Sequence, residues 1–452
     1  MARSVLTSAV GVLALLLAAV TTWHADASAA RATASIRLPQ ANCKQYATLT
    51  AAEAATPAWT ATDDPGGGSY VYCPSYSLNS PSLGATVSRS YWVYVPSAYD
   101  PTQQWPLVVA LHGCSQQGPD LAYISDFDKE ADSQHFLVLY PNQSTYAQDT
   151  PTTFDGNGSF CWNWFLPQGQ ARGDDEPALI AGITTTVRDG MDVDPNRVYM
   201  LVVSAGAATA DIIAATYPEL YASVAVVAGC EYKGLPCFGS ATTVPPQVSA
   251  QEAYAAAPTH HVMPFLVENG DADTVVPVQN AFFVAQQLQL TNDSVEHNGT
   301  PVNMVPSSYC SDQRVVPNPA VDDSVTPPIV YNPYDIYSYT VDGGACPGAS
   351  AFDADTSCAQ LYVVHGEFHA WPGGPNLNTT QSDAQIYTNP GGPDMTDIAY
   401  RFFTAHPMHA DLSACGAAPA TDVPDVRAAA ALPIAGIAVL LTLAIRRSRR
   451  SP

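Results

Sequence analysis

A chain of 452 residues that is 47% hydrophobic can bury a large core, and its 10% aromatic content excludes a disordered polymer. Seventeen Lys and Arg stand against 41 Asp and Glu, a formal charge of -24 at pH 7. So acidic a surface repels the phosphate backbone and excludes nucleic acid as a partner.

Arg3 precedes an apolar run over 9–20, and Ala27-Ser28-Ala29 has the small-residue form of a signal-peptidase site. The run is short for a spanning helix, so residues 1–29 read as a signal peptide on an exported chain. Residues 30–88 are rich in Ala, Thr, Ser and Pro and read as an N-terminal extension. Cys43 and Cys73 are candidates to clip it to the main domain.

From residue 89 strand and helix patterns alternate. Residues 90–95 are β-branched and aromatic, as in an edge strand. The unbroken apolar run over 106–111 suits a strand buried on both faces of a parallel sheet. A helix is expected over 118–134, a strand over 136–140, a helix over 176–188 and a strand over 197–203. A helix over 205–216 ends at Tyr217-Pro218. Strands follow at 224–227 and 262–267, then a helix near 278–290 and a last strand at 360–364. This alternation predicts an α/β fold: a mostly parallel central sheet with helices on both faces, in one domain over 89–404. Residues 231–258 and 291–358 break the rhythm and read as Cys-containing loop insertions over the active-site end.

Residues 405–427 read as a linker. Residues 428–445 are uncharged and mostly apolar, and Arg446, Arg447, Arg449 and Arg450 follow. This is the pattern of a C-terminal transmembrane anchor, with the basic tail 446–452 in the cytoplasm and the domain at the cell surface. Ten cysteines, an even number, favour disulfides in an exported chain. None sits in a cluster of zinc spacing, and no metal or cofactor is expected.

The candidate chemistry lies at strand ends. Ser204 falls between a buried strand and a helix, where a sharp turn lifts a hydroxyl clear of the sheet and aims the helix N-terminus at a developing oxyanion. A nucleophile there needs an acid after a later strand and a histidine after the last one. Asp273 lies on the turn after strand 262–267, beside Asp271. Calcium or plain turn chemistry is the other reading of this pair. His369 follows the last strand and is placed to take the Ser204 proton. His365, at the strand end, is the competitor, with a packing role. The oxyanion donors are assigned to the amides of Ala205 and Cys114, the second in the loop after Leu111.

Taken together, Leu111-His112-Gly113-Cys114-Ser115-Gln116, Cys161-Trp162-Asn163-Trp164-Phe165, Glu176-Pro177-Ala178-Leu179, Asp194-Pro195-Asn196-Arg197-Val198-Tyr199, Ser204-Ala205-Gly206, Gly270-Asp271-Ala272-Asp273 and His369-Ala370-Trp371-Pro372-Gly373-Gly374 resemble the poly(3-hydroxybutyrate) depolymerase and feruloyl esterase-like family of α/β-hydrolase serine esterases. The resemblance covers about residues 90–404, less the two insertions. It implies a Ser204, Asp273, His369 triad, Ala205 and Cys114 at the oxyanion, and no metal or cofactor. It also implies an acyl-enzyme route on an ester-containing polymer or a small ester: a polyester such as poly(3-hydroxybutyrate), or a feruloylated or acetylated polysaccharide. A Cys114 to Cys161 bond fits it and would pin the oxyanion loop. Trp164 and Trp371 have two readings, as walls of an apolar substrate groove or as core.

This chain departs from the family pattern where Val202 and Ala207 replace glycines around the serine. A valine at 202 is expected to crowd the elbow. That motivates the alternative of a catalytically impaired surface protein of the same fold that binds a polymer or a cell-wall partner.

Overall fold

The strands begin where β-branched and aromatic residues cluster, and they pair into one dominant sheet. The computed structural model describes residues 36–47, 67–144, 159–299, 309–314, 321–339, 357–376 and 387–409. The signal segment 1–29, the anchor 428–445 and the basic tail lie outside them, as does the linker beyond residue 409. Among the described residues no helix is long and apolar enough to cross a membrane.

In chain order the strands are β1 (Lys44–Tyr46), β2 (Ser69–Ser80), β3 (Ala85–Val95), β4 (Trp105–Leu111), β5 (Leu137–Pro141), β6 (Val193–Val203), β7 (Ser223–Val227), β8 (Phe265–Gly270), β9 (Tyr309–Arg314), β10 (Val321–Asp322), β11 (Ile329–Val330), β12 (Tyr334–Tyr339), β13 (Ala359–Val364), β14 (Trp371–Pro372) and β15 (Thr388–Asn389). The helices are α1 (Gly118–Ser125), α2 (Phe127–Gln134), α3 (Asp175–Gly190), α4 (Ala205–Thr216), α5 (Pro246–Ala255), α6 (Gln279–Glu296) and α7 (Met395–Ala405). Among the described residues, eleven strands form one sheet in the order β1-β2-β3-β5-β4-β6-β7-β8-β13-β12-β9. From β5 to β13 the pairing is parallel. At both edges it is antiparallel. Every residue of β4, β5, β7 and β8 is buried, as strands covered on both faces must be. This is an α/β-hydrolase sheet.

The topology locates the site. From β4 the chain passes through α1 and α2 to β5 on one side, then crosses back over β4 to β6 and continues away. Right-handed crossovers in the two directions put α1 and α2 on one face and α3, α4 and α6 on the other. α7 returns to pack against α2 and β6. Strand order reverses around β4, so the loops leaving the C-terminal ends of β4 and β6 diverge and open a crevice. Leu111 and Val202 are register partners at that point, one and two residues before those loops.

Four features differ from the reading of the sequence, the first being that the stretch 231–258, read as a loop insertion, carries the helix α5. The sheet begins inside the stretch read as an N-terminal extension, and the boundary at residue 88 falls inside β3. β2 escapes notice because Pro74 interrupts it; the pairing with β3 slips there, between Cys73 and Tyr76, as proline in a strand requires. Cys43 and Cys73 are bonded. The stretch 291–358 is partly regular: it carries the end of α6 and supplies β9 and β12, which extend the far edge. β12 is short and rich in polar and tyrosine residues, with three of its six positions buried, so it reads as loop. Finally, the single helix over 118–134 is two. Asp126 takes a left-handed conformation with φ 53° and turns the chain between them.

Candidate active site

β6 runs through the middle of the sheet and stops at Val203. Ser204 then has φ 57° and ψ -121°, a backbone region that costs a non-glycine residue energy and needs support from its surroundings. The support is on both sides of the turn. The Ser204 amide donates to Val227 O at 2.9 Å on the neighbouring strand, and Ala208 N donates to Ser204 O at 3.0 Å to start α4. Gly206 lets the helix pass close to the end of β4, because a Cβ there would lie 2.2 Å from Leu111 O and 2.7 Å from His112 O.

The expected crowding at Val202 is therefore misplaced. Val202 is a fully buried member of β6, paired with Leu111 and Val226, and the turn starts after it. Crowding falls on Gly206, which is glycine. Val202→Gly should give no gain in any rate that depends on Ser204. It should instead lower stability by roughly 2–4 kcal/mol through a lost core side chain and a more flexible strand, measured by urea denaturation.

His369 and Asp273 converge on the serine. His369 Nε2 lies 2.8 Å from Ser204 Oγ, and its Nδ1 lies 2.7 Å from Asp273 Oδ2. Asp273 is held from three sides. Its Oδ1 accepts from the amides of Val275 and Val276 at 2.7 and 2.9 Å, and Oδ2 also accepts from Asn269 Nδ2 at 3.2 Å. A carboxylate only accepts, so Nδ1 of His369 carries the proton and Nε2 offers its lone pair to the serine hydroxyl.

His365 goes elsewhere. Its Nδ1 is 2.8 Å from Asp271 Oδ2, its Nε2 is 3.4 Å from Asp335 Oδ2, and Gly366 N donates to Asp271 Oδ1 at 2.7 Å. The hydrogen bond with Asp271 pushes the His365 imidazole up, against the opposing effect of burial. This pairing ties the end of β13 to the turn after β8 and to β12.

The loop after β4 is braced by side chains from neighbouring loops. His112 is fully buried, and burial lowers its imidazole to about 4, so it stays neutral. Its Nε2 accepts from Gln143 N at 3.1 Å, which leaves Nδ1 to donate to Gly113 O at 2.8 Å. Trp162 Nε1 donates to His112 O at 3.0 Å, and Gly113 N donates to Gln116 Oε1 at 2.9 Å. Cys114 and Cys161 are bonded, and Ser115 N donates to Ser159 O at 2.6 Å. Neither the Cys114 nor the Ala205 amide donates to an acceptor among the described residues. Cys114 lines a pocket of about 140 Å³ that opens beside Ser204, the residue directly before Ala205, and its walls are mostly apolar.

The two tryptophans are corrected by this geometry. Trp371 is fully buried, and its Nε1 donates to Thr396 Oγ1 at 3.1 Å, so it belongs to the core and not to a substrate groove. Trp164 is also buried and does not itself wall the pocket. It stacks on Phe238 at 5.4 Å between ring centroids, and Phe238 is the wall. Phe238, Ile124, Val275 and Tyr387 are lining residues that the sequence reading missed. Phe238 alone carried a hint, since it follows Cys237 directly, and Cys237 closes a short loop with Cys230.

Residues 89–302 match the family described as esterase PHB depolymerase. Poly(3-hydroxyalkanoate) depolymerase C of Paucimonas lemoignei is 37% identical over 139 residues, 30% of this chain and 31% of that protein. Feruloyl esterase B of Neurospora crassa is 29% identical over 142 residues, 31% of this chain and 43% of that protein. An acetylxylan esterase of Coprinopsis cinerea is 35% identical over 127 residues, 27% of this chain and 30% of that protein. The chain thus spans less than half the length of these curated relatives. Among solved structures, an acetyl xylan esterase from Aspergillus awamori aligns over 73% of this chain and 99% of its own, at 16% identity and a TM-score of 0.46.

Proposed function

We propose, since residues 89–302 make this chain a member of the PHB depolymerase family of esterases, that it is a carboxylic ester hydrolase working through an acyl-enzyme on Ser204. The observation that carries this reading is the unbroken hydrogen-bond relay from Ser204 through His369 to Asp273.

In this reading His369 Nε2 takes the Ser204 proton as the oxygen attacks the ester carbonyl. Asp273 stabilises the resulting imidazolium. The carbonyl oxygen becomes an oxyanion held by the amides of Cys114 and Ala205. His369 then gives its proton to the departing alcohol oxygen, and water repeats the sequence to free the acid and Ser204. The steps as written require neither metal nor cofactor. The apolar walls around Phe238 favour a hydrophobic group next to the scissile bond.

The names of the relatives support an ester-bearing polymer as substrate: a polyester such as poly(3-hydroxybutyrate), or a feruloylated or acetylated polysaccharide. Export and a surface position rest on the pattern of residues 1–29 and on the apolar run 428–445 with its following arginines. The test is a hydrolysis screen of the purified protein on poly(3-hydroxybutyrate), methyl ferulate, acetylated xylan and a short-chain p-nitrophenyl ester. Acid release from the p-nitrophenyl ester and at least one of the others is expected. No turnover of any of the four by folded protein would overturn the reading.

A further inference from the structure

Two carboxyl groups behind Asp273 and His369 take no part in the steps above. Glu268 is on β8, which leads into the Asp273 turn, and Glu367 is in the loop after β13, which leads to His369. Both are buried, at 1% and 2% exposure. Glu268 Oε1 and Oε2 and Glu367 Oε1 are buried with no donor to accept from among the described residues, and the two side chains lie within hydrogen-bond reach of each other. Two carboxylates have no donor between them, so this contact holds a proton.

Among the described residues the surroundings supply no countercharge. Asn389 Nδ2 donates to Glu367 Oε2. On the flanking strands the register neighbours of Glu268 are Val227 and Tyr362, and the Tyr362 hydroxyl turns to Gln360. The charged group that faces the pair is Asp273, and its sign is the same as theirs. Burial pushes both carboxyls above the ordinary glutamate range, and Asp273 adds to this.

The pair also closes a seam. Ala272 N donates to Glu367 O at 3.1 Å, and a Cβ on Gly270 would come 2.2 Å from that oxygen. The turn that carries Asp273 and the loop that carries His369 are thus packed on each other through Glu367, with the Glu268 contact on the same junction.

We propose that Glu268 and Glu367 form a proton-held clasp that positions Asp273 against His369 and opens when the shared proton is lost. The proposal rests on the triad reading above. Loss of the proton puts two negative charges together beside a third, with no cation facing them among the described residues. Repulsion then moves the Glu367 loop, the member outside the sheet, and His369 with it. Turnover should therefore fall on the alkaline side as the pair loses its proton. The sign for stability agrees. The folded pair binds a proton that the unfolded chain has released, so stability falls as pH rises from the ordinary glutamate value through the raised one.

The test is the pH profile of kcat/KM on a p-nitrophenyl ester for the intact protein, Glu268→Gln and Glu367→Gln. A glutamine donates to the remaining carboxylate at any pH. Each variant should keep the acid limb and move the alkaline limb up by about one pH unit or more. A purely structural role would lower kcat at every pH and leave the limb in place, and that result overturns the clasp. Infrared spectra of the unsubstituted protein, with glutamate ¹³C-labelled at the side-chain carboxyl, give an independent readout should the variants not fold. An isotope-shifted protonated-carboxyl band at neutral pH that disappears on alkaline titration is expected, and its absence at neutral pH overturns the shared proton. If the intact protein turns over no ester, the esterase reading fails, and the infrared titration still decides the clasp.

Discussion

Ser204→Ala lowers ester turnover by about 10⁵-fold or more and leaves the fold unchanged. The size follows from the role: without Oγ no acyl-enzyme forms, and what remains is the contribution of binding and of the oxyanion amides to direct attack by water. The fold survives because the serine side chain gives the structure little. Its Oγ contacts His369 Nε2, while the strained backbone at φ 57° is held by the bonds to Val227 O and from Ala208 N, which alanine keeps. Kinetics on a p-nitrophenyl ester with thermal unfolding of the same samples checks both halves. Turnover by Ser204→Ala within tenfold of the unsubstituted protein would exclude this serine as the nucleophile. A large loss of thermal stability would assign the effect to folding instead.

The structure brings Ser204, Asp273 and His369 together, and the sequence carried that much for a topological reason. Each residue follows a strand of the parallel sheet, and parallel strands deliver their C-terminal ends to one edge. The central strands were legible because burial on both faces leaves continuous apolar runs. The edges were not. β2 hides behind Pro74 and its bulge, and β9 and β12 are short edge strands whose polar residues read as loop. The pocket wall was equally hidden. Phe238 owes its position to the Cys230–Cys237 disulfide directly before it and to stacking on Trp164, and both are tertiary facts. Trp371 stood beside a motif histidine and could be read as groove wall or as core; a buried indole needs an acceptor, and Thr396 supplies it inside the core. The Glu268/Glu367 contact depends on β8 and β13 being neighbours, and no local pattern announces a carboxyl pair.

Asp273→Asn is the second large effect, and it separates the two aspartates that the sequence offered. The asparagine oxygen can keep the amides of Val275 and Val276, which approach Oδ1 at 2.7 and 2.9 Å. Its NH₂ then faces His369 Nδ1, where the carboxylate accepted a proton before. The histidine responds by moving its proton to Nε2 and accepting at Nδ1. Nε2 then points a hydrogen at Ser204 Oγ and no longer serves as its base. The same NH₂ also meets the Asn269 Nδ2 donor, which loses one of its three acceptors and keeps Gly270 O and Val276 O. We expect kcat to fall by about 10⁴-fold with KM within a few fold, because tautomer and charge are lost while the pocket walls stay. Asp271→Asn is the paired measurement. Asp271 bonds His365 and Gly366 at a partly exposed position, so its substitution should cost about 1 kcal/mol of stability and leave kcat within a few fold. Equal losses in the two variants would mean that the acid of the relay is misassigned. A loss confined to Asp273→Asn ties the chemistry to the carboxylate that fixes the histidine tautomer.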